Sequence, residues 1–143
     1  MDDFNLEKLA QQIVIERLEG VADAPEGAGL VARKIVTQAV TGTIARQSPR
    51  LSVTAVCRGL MSGMLILQKD LPLTAVAILN QMSDVSLETH QDPAEMMTWA
   101  MEGIASVVTL TGEPVRAAVE TAIETAFMGA GTVFAHACAT AGS

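Results

Sequence analysis

The chain has 143 residues, of which half are hydrophobic, only 3% are aromatic and none is tyrosine. This length fits one domain, covering residues 1–143, whose core has to be built from aliphatic side chains and eight methionines. The net charge of −7 excludes nucleic acid and anionic membrane surfaces as favoured partners, because both repel an acidic protein.

The cysteines and the N-terminal residues predict a cytoplasmic location. Cys57 and Cys138 both lie in apolar segments far apart in the sequence, which is typical of reduced, buried thiols. The chain begins with acidic and polar residues, whereas a secretory signal begins with basic residues followed by an apolar run.

Two segments are apolar enough to raise the question of a membrane span. Residues 51–67 contain Arg58 and are at the lower limit of the roughly 17–25 residues that cross a bilayer. Residues 127–141 contain His136 and consist mostly of alanine, glycine and threonine, whereas lipid-facing helices favour larger aliphatic side chains. We therefore expect two buried helices and no membrane association.

The hydrophobic pattern predicts an all-α fold. Apolar residues recur at steps of three and four, no run alternates cleanly, and alanine, leucine and methionine favour helices. Proline suits the first turn of a helix, and the five prolines recur at intervals of 21–24 residues. They are Pro25, Pro49, Pro72, Pro93 and Pro114.

This spacing predicts an up-and-down bundle of five to six helices joined by short loops. The alternative is a short α-solenoid of helical hairpins, because the interval from Pro49 to Pro93 matches the roughly 40–47 residues of paired helical repeats. The segments between the prolines share no further side-chain pattern that would favour the solenoid.

The first half of the chain predicts three helices. The first covers residues 5–18 and has one apolar face. A flexible loop follows over residues 19–29, and a second helix over residues 29–46. The glycines of this loop do not have the spacing of a phosphate-binding loop.

The third predicted helix, residues 49–68, is apolar on most sides, and we expect it at the centre of the fold. Ala55, Gly59 and Gly63 recur at steps of four along it. Because none of these residues has a large side chain, we predict that another helix approaches very closely at this stripe.

The second half predicts three more helices. The fourth follows Pro72 and weakens after Ser83, so that residues 84–91 are predicted to form a polar connection. Asp92, followed by a proline, is a capping signal that begins the fifth helix. The sixth is predicted as one long rod over residues 114–140.

The polar connection holds the only candidate metal ligands, Glu88, His90 and Asp92. Histidine with carboxylates suits zinc, iron or manganese. Three ligands in one loop without a second histidine nearby are a weak match to any known metal-site spacing. We therefore expect a solvated loop without metal or cofactor, and we keep a metal-dependent enzyme as a third hypothesis.

The other reactive side chains indicate packing rather than catalysis. His136 and Cys138 are two residues apart, so on a helix they face different sides. Neither cysteine has an obvious neighbouring base. The sequence contains no Glu-x-x-His motif, which argues against a di-iron centre. We expect no catalytic residue and favour a non-enzymatic protein.

The preferred hypothesis is an interaction or scaffold protein that self-associates through residues 127–141, which carry no Asp, Glu, Lys or Arg. A different protein partner is the alternative occupant. The candidate interaction residues are Phe127, Gly129, Gly131, Phe134 and His136. The second hypothesis is a carrier that holds a small apolar ligand among its methionines.

A line of small and weakly polar residues runs through the same predicted helix at steps of three and four. It could mark a helix contact, a wet groove or a subunit seam, and we favour a contact in which His136 is hydrogen-bonded. Its members are Thr121, Thr125, Gly129, Thr132, His136 and Thr140.

Overall fold

The structure is a computed structural model, which describes residues 5–42 and 48–141. Within these residues the chain is all-α without any strand, as predicted, and it forms seven helices where five to six were expected. The helices are α1 (Leu6–Leu18), α2 (Ala24–Val40), α3 (Pro49–Ile66), α4 (Leu71–Glu88), α5 (Pro93–Val108), α6 (Glu113–Ala126) and α7 (Ala130–Ala141).

Helices that alternate along the chain run in the same direction. Gly59 of α3 lies against Glu7 of α1, and Gly63, one turn further along α3, lies against Val14, further along α1. The contacts therefore advance along both helices together. The same holds for α2 and α4, where Gly29 lies against Ala77 and Arg33 donates a hydrogen bond to Gln81.

These pairings arrange the helices in two layers. The three most extensive contacts join α1 to α3, α2 to α4, and α3 to α5. Helices α5 and α7 extend the first layer, and α6 extends the second beside α4. The chain passes up and down as in the predicted bundle, and its helices form hairpins stacked in layers as in the predicted α-solenoid.

Two glycines set the closest approaches in the first layer. A Cβ atom on Gly59 would collide with the backbone oxygen of Glu7, and one on Gly103 would lie 2.5 Å from the backbone oxygen of Thr54. The close approach predicted for the glycine stripe of the central helix is therefore confirmed at both of its glycines, because a Cβ on Gly63 would lie 2.9 Å from Val14.

Gly59 and Gly103 reveal an internal repeat that the spacing of the prolines alone did not establish. Gly59 and Gly103 each lie ten residues after the proline that begins their helix. Each fits against a backbone oxygen and the Cβ of the residue three positions later on the preceding helix of the layer. Thus α1–α3 and α3–α5 are two copies of one packing geometry.

The predicted loop over residues 19–29 is wrong in its second half. Helix α2 begins at Ala24, with Pro25 in its first turn, because Ala24 and Ala28 already belong to its buried face. Gly29 is helical and lets α2 approach the backbone of Ala77 in α4. The end predicted for this helix, residues 43–46, lies outside the described residues.

The polar connection predicted over residues 84–91 is also corrected. Helix α4 continues to Glu88, because Val85 and Ser86 extend its buried face by another turn. His90 then adopts a left-handed conformation with φ 59°, and the Gln91 N–H donates to the Ser86 carbonyl at 2.9 Å. This is the Schellman arrangement that terminates a helix.

The long sixth helix is divided into α6 and α7. The break occurs at Phe127 to Gly129, where Gly129 has a φ of 92°, which suits a residue without a side chain. The Glu124 carboxylate accepts hydrogen bonds from the N–H groups of Gly129 at 3.0 Å and Gly131 at 2.9 Å. Gly129 therefore lies in a turn between two helices and Gly131 in the first turn of α7, so neither is an interior residue of one long helix.

Arginines join neighbouring helices within each layer. Arg58 of α3 donates to Glu7 of α1 at 3.0 Å and to Ser106 of α5 at 3.1 Å. Arg33 of α2 binds Asp84 and Glu88 of α4.

Among the helices described, none has the length and apolar content that crossing a bilayer requires.

Candidate functional site

The structure gives each candidate metal ligand a separate structural role. Glu88 pairs with Arg33, His90 lies in the left-handed turn after α4, and Asp92 caps α5 by accepting from the Ala94 N–H at 2.8 Å. Within residues 5–42 and 48–141, no three His, Cys, Asp or Glu side chains form a group that could hold a metal ion. Nothing in this geometry supports a metal centre at the loop.

Both thiols are buried and free, as expected for packing residues. Burial raises the pKa of Cys57 to about 12, so this thiol is protonated at neutral pH. Burial also raises the pKa of Cys138, against the opposing effect of Arg116. Because the thiolate is the nucleophilic form, neither cysteine has the environment of a catalytic nucleophile.

The methionines are mainly part of the core. Five of them are buried among other apolar side chains, and of the seven methionines that the structure describes only Met128, at the turn between α6 and α7, is almost fully exposed. The buried ones are Met61, Met64, Met82, Met96 and Met101. They fill space between helices, and this arrangement gives the hypothesis of an apolar-ligand carrier no specific support.

A shallow depression of about 360 Å³ lies on the outer side of α2 near the end of α4. Leu30, Arg33, Lys34 and Glu88 are among the residues that line it. Because Arg33 is already paired with carboxylates of α4, Lys34 is the remaining positive charge among the lining residues.

The charged side chains of the α6–α7 hairpin form their bonds within the hairpin itself. Residues 113–141 contain four formally charged side chains, and each is bonded within the hairpin. Arg116 pairs with Glu113 and Glu120, and Glu124 binds the turn. The two backbone N–H groups that Glu124 accepts from lower the pKa of its carboxyl group.

The predicted interaction residues divide into two groups. Phe134 and Gly131 are buried within the chain, and Phe127 is partly buried against the core. Gly129 and His136 are exposed. Phe127 and Phe134 are therefore covered at least in part by their own chain, whereas Met128, Val133 and the small and weakly polar residues of the segment face outward.

The line of small residues noted in the sequence lies on this outer side. All six members are exposed. The favoured interpretation, a helix contact within the chain that encloses His136, is therefore wrong for the described residues. Together with Ala117, five of them form what we call the C-terminal face: Ala117, Thr121 and Thr125 of α6, and Thr132, His136 and Thr140 of α7.

The opposite end of the layers has a different surface. Helix α1 uses Ala10 and Val14 against α3, and the side that faces away exposes Lys8, Gln12 and Glu16. Terminal units of stacked helical arrays need such a polar outer side to stay separate in water. The N-terminal end has this property, and the C-terminal face has no unpaired formal charge.

Of the candidate interaction residues selected from the sequence, Phe134 is buried and Phe127 is partly buried in the structure. Phe127 and Phe134 were selected for their size, and large apolar residues are the ones that a helix buries first. The signal that could have identified the exposed side was the recurrence of threonine at helical spacing, which the sequence analysis assigned to an internal contact.

Comparisons of the chain with models of protein families, with curated proteins and with solved structures gave no match.

Proposed function

We propose that this chain is a non-enzymatic helical interaction protein that self-associates through the C-terminal face. The observation that carries the proposal is the contrast between the two ends of the helical layers. The N-terminal end exposes charged side chains, whereas the C-terminal face exposes alanine, threonine and histidine on helices that have no further neighbour in their layer among the seven described helices.

The absence of formal charge on the C-terminal face is what allows a second copy of this acidic chain to approach there. Two molecules with a net charge of −7 repel each other over most of their surfaces. The six residues of the C-terminal face include no Asp, Glu, Lys or Arg, and beside them Arg116 is paired with Glu113 and Glu120. Small side chains there also allow two helices to approach closely.

The proposal includes a cytoplasmic location, which the two free thiols support because disulfides form in oxidising compartments. A different protein that presents an uncharged helical surface is the alternative partner. In that case the chain would be a monomer in solution and would bind such a protein through the residues of the C-terminal face.

Sedimentation velocity over a micromolar concentration range tests the proposal. We expect a reversible dimer or larger oligomer for the natural chain. The double variant Thr121→Arg and Thr132→Arg places an unpaired charge on each helix of the C-terminal face, and burying such charges costs several kcal/mol. We therefore expect an apparent Kd that is weaker by about 100-fold or more.

The matched control is Gln12→Arg on the outer side of α1, which adds a charge at the opposite end of the layers. We expect this variant to associate like the natural chain. A natural chain that remains monomeric at concentrations of about 100 μM, well above a micromolar Kd, would contradict self-association. Equal weakening by the control and the double variant would contradict the assignment to the C-terminal face.

A further inference from the structure

The depression on the outer side of α2 contains a hydroxyl group that has no partner among the described residues. Thr37 is one of the residues that line the depression, and its Oγ1 atom is buried without a hydrogen bond. An unpaired buried hydroxyl destabilises a folded chain, so its presence calls for an explanation. Six other threonines, in helices or directly after them, donate to the carbonyl four residues earlier. They are Thr41, Thr74, Thr89, Thr98, Thr125 and Thr140.

The same depression has a lysine whose charge is not neutralised. Arg33 pairs with Asp84 and Glu88 of α4, whereas Lys34 is exposed and forms no ion pair within residues 5–42 and 48–141. One positive charge therefore remains among the lining residues. A ligand with a single negative charge matches it, whereas a doubly charged phosphate would bring an unpaired charge close to Glu88.

An apolar side chain completes the lining. Leu30, Lys34 and Thr37 follow one another at steps of four and three, so they lie on one side of α2. Leu30 is 53% exposed and lies about 10 Å along the helix from Thr37. The volume of about 360 Å³ is at the lower end of the roughly 300–1,000 Å³ of small-molecule sites. The lining therefore combines the groups that recognise an acid with an aliphatic chain.

We propose that this depression binds a small monocarboxylate that carries an aliphatic chain. The carboxylate accepts hydrogen bonds from the Lys34 ammonium group and the Thr37 hydroxyl, and the chain lies along Leu30. The hydroxyl is covered, and a threonine in a helix has two favoured rotamers, so it can turn toward an acceptor in the depression.

This site is separate from the C-terminal face. Among the described helices, α2 contacts α1, α3 and α4 and neither α6 nor α7. Binding at α2 is therefore measured independently of self-association, and either proposal can fail without the other.

The test is a titration of the isotope-labelled natural chain with octanoate, followed by the chemical shifts of its amides. We expect the amides of residues 30–38 to shift with an apparent Kd on the order of 1 mM, which suits a ligand of this size. Acetate lacks the chain and octylammonium has the opposite charge, so each should bind there at least about tenfold more weakly. Equal binding of octylammonium, or octanoate shifts spread evenly over all helices, would overturn the inference.

A charge variant tests the contact to the carboxylate. Lys34→Met removes the ammonium group and keeps an apolar stem, so we expect the Kd for octanoate to rise about tenfold. The matched control is Lys8→Met, because Lys8 on α1 is also exposed and has no ion pair within the described residues. Equal weakening in both variants would show general attraction of the ligand to positive charge and would overturn the site.

Thr37→Val tests the hydroxyl with two readouts. The change removes an unpaired polar group, so we expect the variant to unfold at a higher urea concentration than the natural chain. Because it also removes a donor to the ligand, we expect octanoate to bind about fivefold more weakly. Lower stability of this variant would show that the hydroxyl already has a partner, and unchanged octanoate binding would show that it does not contact the ligand. Either result would overturn the inference.

Discussion

Helix α3 and the α6–α7 hairpin are held in place by different interactions. Helix α3 has a neighbour on each side within its layer and buries nine residues, including Gly59, which contacts the backbone of α1. Helix α6 lies at the end of its layer and buries only Val119 and Ile123. Its hairpin is completed by the bonds of Arg116 and Glu124.

The difference shows how position in a layered array determines what a helix needs from its sequence. An inner helix packs closely against helices on several sides. Its stability therefore depends on residues that are small enough to permit this close contact. A terminal helix packs on fewer sides, so its stability depends more on local polar bonds. Terminal regions of this kind are expected to open locally before the inner helices do.

The largest expected effect comes from truncating one buried isoleucine in an inner helix and one in a terminal helix. Ile104 in α5 and Ile123 in α6 are both fully buried. Truncation of a buried isoleucine to alanine costs about 2–5 kcal/mol, and the cost is lower where neighbouring groups can move into the cavity. We expect a loss in the free energy of unfolding of about 4 kcal/mol for Ile104→Ala and about 2 kcal/mol for Ile123→Ala, measured by urea denaturation. An equal loss in both variants would contradict the distinction between inner and terminal helices.

The next effect tests the close approach of α1 and α3. Gly59→Ala adds a Cβ that would collide with the backbone oxygen of Glu7, which cannot rotate away as a side chain can. We expect a loss of about 3 kcal/mol in the free energy of unfolding, at the upper end of typical overpacking costs.

Gly20→Ala is the matched control, because a Cβ on Gly20 has no atom within 4 Å. We expect this control to change the free energy of unfolding by less than about 0.5 kcal/mol, as is usual for surface substitutions. If the two alanine variants were equally stable, the glycine contact would not determine the spacing of the helices.

The smallest effect concerns the turn between α6 and α7. The pKa of Glu124 is lowered in the folded chain by the N–H groups of Gly129 and Gly131, so the carboxylate stabilises the turn above the ordinary carboxyl pKa. This stabilisation is lost as the pH falls through the lowered pKa. We expect protection of the α7 amides from hydrogen exchange, corrected for intrinsic rates, to decrease over this acidic range.

Glu124→Gln removes the titrating group. In this variant we expect weaker protection of α7 at neutral pH and little further loss of protection on acidification. Amides of α3 serve as the internal reference in both proteins. Identical pH profiles for α7 in the natural chain and the variant would show that Glu124 does not stabilise the turn.

Several features of the fold were predictable because they depend on neighbours in the sequence. Pro49 and Pro93 begin helices, and Asp92 caps α5 as predicted from its pattern. The close contact at Gly59 was also predictable, because a stripe of small residues on an apolar helix leaves room for another backbone.

Other features depended on tertiary contacts that local patterns do not contain. Helix α4 passes Ser83 because Ser86, a polar residue, is buried there. Helix α6 ends near Phe127 because Glu124 binds the backbone of the turn, five and seven residues later. The repeat was not recognised because its common element is the position of Gly59 and Gly103 relative to a proline, and most surrounding side chains differ.

The candidate site shows the same division. The α7 half of the candidate site lies in the segment that was selected for its absence of formal charge, whereas the α6 half lies outside that segment. Its exposed side depended on which residues α5 and α6 cover, and on the break at Gly129, which rotates α7 relative to α6. A continuous helix over residues 114–140 would have presented a different set of side chains.

The positions of the two free thiols allow each region to report its own opening. Cys57 lies in the centre of α3 with a pKa of about 12, and Cys138 lies in α7. A thiol-specific reagent can label each cysteine only when its surroundings open, since both are buried in the closed chain. The ratio of the two labelling rates, read by mass spectrometry on the natural sequence, therefore measures how often α7 opens while α3 stays closed.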